Sequence, residues 1–117
     1  MDQTLRASIQ SSTFYYFMIG MILTTISQLT TVTVIIFGDI SGKEGVVAAS
    51  VIGPALIGAF GTIRLLTNMS YLVADMDKDM KATTYGAGIS AIPFSILKLI
   101  FAAIFVVVAL VQLTAIY

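Results

Sequence analysis

The residues with the greatest potential for chemistry lie in one short segment, DMDKDMK (75–81), which carries five of the chain's twelve formal charges. Its three alternating aspartates have the spacing that opens an EF-hand calcium loop. That loop also needs glycine at its sixth position and glutamate at its twelfth. Met80 and Gly86 occupy those positions here. The segment therefore predicts a water-facing charged turn rather than a calcium site.

The rest of the chain offers few groups for catalysis. It contains no cysteine and no histidine, which removes thiol chemistry, the commonest metal ligand and the usual general base. Hydroxyl nucleophiles need a base within reach, and only Lys98 could serve as one inside the C-terminal apolar segment. Every acidic residue lies outside the apolar segments, whereas transporters usually carry carboxylates inside the membrane. We therefore predict a protein that is not an enzyme and has no metal or cofactor.

The composition indicates an apolar environment. Hydrophobic residues make up 58% of the 117 residues and charged residues 10%, against about 45–50% and about 25% in soluble domains. The net charge is zero, so there is no basic surface of the kind that nucleic-acid binding needs. The length predicts a single domain (1–117). We expect an integral membrane protein, or one that is coated with lipid or with copies of itself.

The charge pattern predicts an all-α fold of three hydrophobic helices, at about 11–37, 46–74 and 83–116. A bilayer core of about 30 Å needs about 20 helical residues, and the uncharged segment 14–37 is long enough. A lone strand would leave its backbone unsatisfied in lipid, which favours helix. Helices 2 and 3 should form a hairpin across the charged turn.

The third segment allows two interpretations. A continuous helix over 82–117 would be about 54 Å long, which exceeds a bilayer core. Either 99–117 spans alone with 82–98 at the membrane surface, or the helix is long and its surroundings are not a simple bilayer. Pro93 would either kink this third helix or mark its true start.

Polar and small residues inside the apolar segments mark predicted contacts. The hydroxyls and Gln28 between residues 24 and 33 either bond back to their own helix or contact another helix. Arg64 either reaches lipid headgroups at the interface or is a functional buried cation. Small residues of helix 2, four apart in several pairs, predict close helix packing; the set is Ala49, Gly53, Ala55, Gly58, Ala59 and Gly61.

The hydrophobic helix pair joined by a Lys-containing turn, with a further helix in front, resembles the pilins of conjugative (type IV secretion) pili and their archaeal relatives. In this resemblance the turn is flanked by LLTNMSYLVA and ATTYGAGISA. It implies a subunit that leaves the membrane to form a hollow, lipid-containing filament. The implied lumen-facing residues are Asp75, Asp77, Lys78, Asp79 and Lys81, and by analogy Arg64 and Lys98 contact lipid headgroups.

A second resemblance is local. GTIRLL (61–66) and KATTYGAGI (81–89) are similar to segments of the G subunit of Mrp-type cation/proton antiporters. This resemblance implies an accessory three-helix subunit of a larger integral-membrane complex, which could translocate ions.

The leading prediction is a self-assembling structural subunit of a conjugative-type pilus that serves DNA transfer or import. Its expected partners are many copies of itself, membrane lipid, DNA as transported cargo, secretion-type ATPases and membrane channel proteins. The protein would be in the membrane first and in an extracellular filament later. The antiporter-like alternative predicts a protein that stays in the membrane.

Overall fold

The structure is a computed structural model that describes residues 2–117. These residues form five helices and no strand, which confirms the all-α class. Three of the helices are long and apolar enough to cross a membrane. The helices are α1 (Gln3–Phe37), α2 (Glu44–Ala74), α3 (Lys78–Lys81), α4 (Thr84–Ser90) and α5 (Phe94–Ile116).

α1 begins at Gln3, well before the predicted start near residue 11. The side chain of Asp2 caps the helix by accepting a hydrogen bond from the Thr4 amide at 3.0 Å, which satisfies one of the N–H groups left free at a helix start. The predicted start was wrong because it followed hydrophobicity. The first turns face the protein interior with polar side chains, since Arg6 and Gln10 are both buried.

A short loop, residues 38–43, reverses the chain between α1 and α2. Gly42 has a φ of 78°, a left-handed conformation that glycine adopts without steric cost. The Lys43 amide donates to the Ile40 carbonyl at 2.8 Å and closes the turn. The Ser41 amide donates to Asp39 at 3.1 Å, and this hydrogen bond lowers the pKa of Asp39 from its usual value.

α2 is the central helix of an elongated bundle that measures 60 × 22 × 18 Å. Both α1 and α5 pack along α2, whereas α1 and α5 contact each other much less. α1 and α2 run antiparallel, because Gln3 at the start of α1 bonds to Asp75 after the end of α2. α5 runs parallel to α1, with Gln28 bonded to the Phe105 carbonyl. The hairpin arrangement predicted for helices 2 and 3 corresponds to α2 and α5.

The predicted third helix, 83–116, is interrupted and forms two helices. α4 ends at Ser90, and α5 begins at Phe94 directly after Pro93. Proline lacks a backbone N–H and disfavours helical geometry in the residue before it, so Ile92 and Pro93 separate the two helices. Pro93 therefore marks the start of the long helix, which was one of the two roles expected for it.

The buried face of α1 is polar and its outer face is apolar. Phe17 is the only apolar residue among the buried positions of this helix. Large apolar side chains such as Phe14, Leu23 and Ile36 are exposed instead. This distribution suits a lipid environment, where polar side chains bond between helices and apolar ones face the lipid. The buried residues of α1 are Arg6, Gln10, Thr13, Phe17, Thr24, Gln28 and Thr31.

Candidate functional site

The charged turn, residues 75–81, forms one end of the bundle. Within it, Met76 is buried and packs with Val73 and Ile89, which fixes the turn against α2 and α4. Asp77 caps α3 by accepting a hydrogen bond from the Met80 amide at 2.8 Å. All five charged side chains singled out from the sequence are exposed; they are Asp75, Asp77, Lys78, Asp79 and Lys81.

The two short helices after α2 pack unusually close together. The hydroxyl of Thr83 caps α4 by accepting a hydrogen bond from the Gly86 amide at 2.9 Å. A Cβ atom added at Gly86 would overlap the Met80 carbonyl oxygen. Glycine is therefore required at this position so that α4 can rest on the backbone of α3, and the charged turn gains a rigid base.

A polar network ties the start of α1 to the charged turn. Gln3 donates to the Asp75 carbonyl at 3.0 Å and accepts from the Asp77 amide at 3.2 Å. Arg6 Nε donates to the same Gln3 side chain at 3.0 Å. The sequence analysis missed this network. The signal was the spacing of polar residues at positions 3, 6, 10 and 13, which places them on one helix face.

Arg6 is the most deeply buried charged residue that the structure describes, with 1% of its surface exposed. Its guanidinium donates to the side-chain oxygens of Gln3 and Gln10 and to the Leu72 carbonyl. All of these acceptors are neutral. An arginine keeps its charge in proteins, so the network holds a buried cation in place without neutralising it.

A cavity of about 860 Å³ lies beside Arg6, between α1 on one side and α4 and α5 on the other. Gln10 lies at the end of the cavity beside Arg6, which we call its upper end. There Gln10 Nε2 donates to the Tyr85 hydroxyl at 2.9 Å. Phe17 and Phe101 line the lower end and make an edge-to-face contact there, with their ring centroids 5.8 Å apart. Apart from the polar upper end, the lining is mostly apolar.

A second polar contact lies deeper in the bundle, between α1 and α5. Gln28 Nε2 donates to the Phe105 carbonyl at 2.9 Å, and the hydroxyl of Thr31 bonds to the Gln112 side chain. By contrast, Thr30 and Thr33 point outward and bond back to carbonyls of their own helix. The stretch from residue 24 to 33 was expected either to contact another helix or to bond back to its own. The inward face of α1 does the first and its outward face the second.

The side-chain amide of Gln112 can be placed in two orientations, and one of them satisfies its N–H donors better. Thr31 Oγ1 lies within hydrogen-bond distance of both the Gln28 carbonyl and Gln112 Oε1, while Gln112 Nε2 is buried without a partner. One hydroxyl proton cannot serve two acceptors. When the amide is turned over, Nε2 donates to Thr31 and the hydroxyl donates to Gln28, so only an acceptor is left unpaired.

Arg64 and Lys98 lie at nearly the same level along the bundle as Tyr16. The contact of Thr24 with Gly58 sets the register of α2 against α1, and the ring contact of Phe17 with Phe101 sets that of α5. At a rise of 1.5 Å per residue, the levels of Arg64 and Lys98 along the bundle axis differ from that of Tyr16 by less than about 5 Å. Arg64 is exposed, so no other part of the described chain covers it.

This level is where one surface of a membrane would lie if the long helices cross it. The segments from Tyr16 to Phe37 and from Lys43 to Arg64 each have an axial length of about 32 Å. A bilayer core is about 30 Å thick, and tyrosine and basic side chains are typical of its interface. The parts of the chain beyond this level, 2–13 and 65–93, form what we call the cap. The cap carries the charged turn and Arg6.

The small residues of α2 differ in what covers them. Ala55 and Ala59 are buried within the chain, and a Cβ at Gly58 would lie 2.6 Å from Thr24 Cγ2, which accounts for half of the predicted packing set. Ala49 is exposed. A Cβ at Gly53 or Gly61 would meet no atom within 4 Å, so these positions leave a shallow surface that no other part of the described chain covers.

Within residues 2–117, no three acidic side chains come close enough together to hold a metal ion. No family model, curated protein or solved structure matches the chain. Functional inference therefore depends on the residues themselves, above all on the charged turn, the cap and the outer face of α2.

Proposed function

We propose that the protein is a structural membrane subunit that assembles with copies of itself in a lipid environment. The observation that carries this proposal is the outer face of α2, opposite the sides that pack on α1 and α5. Gly53 leaves room there beside Phe60, which is seven residues later on the same helix face and is 69% exposed. Small residues on a helix face let a second helix approach closely, and an exposed phenylalanine beside them can fill the matching depression of a neighbour.

The form of assembly that we propose is a conjugative-type filament with a central lumen, which serves DNA transfer or import. The charged turn lies at one end of an elongated subunit, and its five charged side chains are exposed. When many subunits surround one axis with this end inward, the turns line an aqueous channel. Three acids and two bases in the turn make such a lining close to neutral, which limits electrostatic retention of DNA cargo.

Electron microscopy of material purified from membranes and from sheared cell surfaces tests this function. We expect filaments with a lumen and with lipid between subunits. Discrete detergent-bound particles alone would contradict the filament. Gly53→Leu should abolish assembly, whereas Gly20→Leu on α1, where a Cβ also meets no atom within 4 Å, should preserve it. Equal loss in both variants would contradict the assignment of the contact to α2.

A second candidate is an accessory subunit of a larger membrane complex, such as an ion-translocating one of the antiporter type. The observation that favours it is the agreement of two separate spans, in α1 and α2, with the thickness of one bilayer, because a subunit that stays in the membrane needs this match. Co-purification with large partner subunits at a fixed stoichiometry would support this candidate. A preparation that contains only this chain and lipid would support the filament instead.

A further inference from the structure

A site whose chemistry the assembly does not use extends from the cap to the level of Phe17 and Phe101. The cavity between α1, α4 and α5 has a volume of about 860 Å³, within the usual range for small-molecule sites. It belongs to a single chain, so its role does not depend on whether the protein forms filaments. From this geometry we propose that the cavity binds an anionic amphiphile, a molecule with an alkyl chain and a carboxylate or phosphate head.

The charge of the head group follows from Arg6. Arg6 borders the cavity and is 1% exposed, and the acceptors it reaches within residues 2–117 are neutral amides and a carbonyl. A buried cation is costly unless an anion accompanies it. A carboxylate or phosphate beside the guanidinium would supply that charge through short, charge-assisted hydrogen bonds.

A second donor lies beside Arg6 at the same end of the cavity. The Tyr85 hydroxyl accepts a hydrogen bond from Gln10 at 2.9 Å. The hydrogen bond from Gln10 is the one that Tyr85 makes within the described residues. The proton of the Tyr85 hydroxyl therefore has no acceptor among them. The hydroxyl can therefore donate to an oxygen that already contacts Arg6. A head group with two oxygens fits this pair of donors.

The alkyl chain follows from the rest of the lining. Between Arg6 and Phe17 the cavity is lined mainly by apolar side chains, among them Phe14, Met69 and Leu97. The helical distance from Arg6 to Phe17 is about 16 Å. Phe17 and Phe101 lie near the level of Tyr16 that we assign to the membrane surface, so the alkyl chain reaches the cavity from the bilayer side.

Two sources share this chemistry: a free fatty acid, and one acyl chain of an anionic phospholipid. The test uses delipidated protein in a neutral detergent and counts bound molecules by native mass spectrometry. The probes are palmitate, its neutral counterpart hexadecanol, and phosphatidylglycerol and phosphatidylcholine with matched chains. We expect one saturable anionic molecule per chain, bound about 10- to 100-fold more tightly than its neutral counterpart.

The relative binding of palmitate and phosphatidylglycerol identifies the source, and selective binding of either one supports the site. Equal binding of charged and neutral probes, or binding of neither, would overturn the proposal. Arg6→Gln should remove the preference for the anion, and Arg6→Lys should retain part of it.

A variant that leaves Arg6 intact covers the case in which Arg6→Gln fails to fold. Gly88 lines the cavity, and a Cβ at this position meets no atom within 4 Å, so Gly88→Phe should fill the cavity without a backbone clash. We expect it to abolish binding of the anionic probes. The matched control is Gly20→Phe, which lies outside the cavity and should bind them normally. Unchanged binding by Gly88→Phe would place the lipid elsewhere and refute the site.

Discussion

Thr24 on α1 lies directly against Gly58 on α2. A Cβ at Gly58 would be 2.6 Å from Thr24 Cγ2 and 3.1 Å from Thr24 Cβ. The second of these distances involves an atom fixed to the backbone, so rotation of the threonine side chain cannot relieve the overlap. Gly58→Ala should therefore separate the helices and destabilise the bundle by about 1–3 kcal/mol.

The matched control for Gly58→Ala is Gly61→Ala, since a Cβ at Gly61 meets no atom within 4 Å. Alanine is also the better helix former by about 1 kcal/mol, so this control should be neutral or slightly stabilising. Thermal unfolding of both variants in the same detergent measures the difference. Equal melting temperatures would show that α1 and α2 do not depend on this close contact.

Gly86→Ala should disrupt the base of the charged turn, because the added methyl group would overlap the Met80 carbonyl oxygen. The expected result is faster amide hydrogen exchange across residues 76–90 while α1, α2 and α5 remain folded. Gly88→Ala, two residues later, has room for its methyl group and should exchange like the unmodified protein. Identical exchange in both variants would argue against tight packing of α4 on α3.

The contact of Thr31 with Gln112 should show energetic coupling. Thr31→Val removes the hydroxyl and leaves the buried Gln112 amide without its partner, which we expect to cost about 1–2 kcal/mol. Gln112→Met in the same background removes the stranded amide, so the double variant should lose less stability than the two single variants together. A double-mutant cycle measures this coupling, and strict additivity would show that the hydrogen bond is not formed.

Arg64→Leu and Lys98→Leu should each reduce the anionic lipid that purifies with the protein. Each cation near a membrane surface contributes about 1 kcal/mol of attraction to anionic headgroups. Lys78→Leu is the control, because Lys78 lies in the charged turn, beyond the level of Arg64 and Lys98. Lipid is quantified by mass spectrometry of extracts. An equal loss of lipid in all three variants would contradict the membrane boundary at Tyr16.

Single cysteines can report which end of the subunit faces a lumen, because the natural chain contains none. We expect Asp79→Cys and Ser41→Cys, at opposite ends of the bundle, both to react with a small maleimide in assembled material. A maleimide attached to a long polyethylene glycol chain should label Ser41→Cys only. Rapid labelling of Asp79→Cys by the large reagent would place the charged turn on the outside.

The sequence by itself determined the fold class and the position of the charged turn. A charge-free segment longer than 20 residues has few stable structures in lipid other than a helix, and a cluster such as Asp75–Lys81 must reach water. These conclusions follow from the solvation of backbone and side chains, which depends on local composition. For the same reason the sequence identified Arg64 and Lys98 as residues at the edge of apolar spans.

Only the tertiary structure decided which polar residues work together. Arg6 reads as part of a polar terminus. The spacing of Gln3, Arg6 and Gln10 places them on one helix face, but nothing local indicates that this face packs against α2 or that Gln10 bonds to Tyr85. The roles of the small residues also required the fold, since Gly58 and Gly61 are equivalent in sequence but only Gly58 lies against a side chain of another helix, Thr24. Burial and pairing depend on contacts between residues more than 30 positions apart, and packing of the helices alone brings these together.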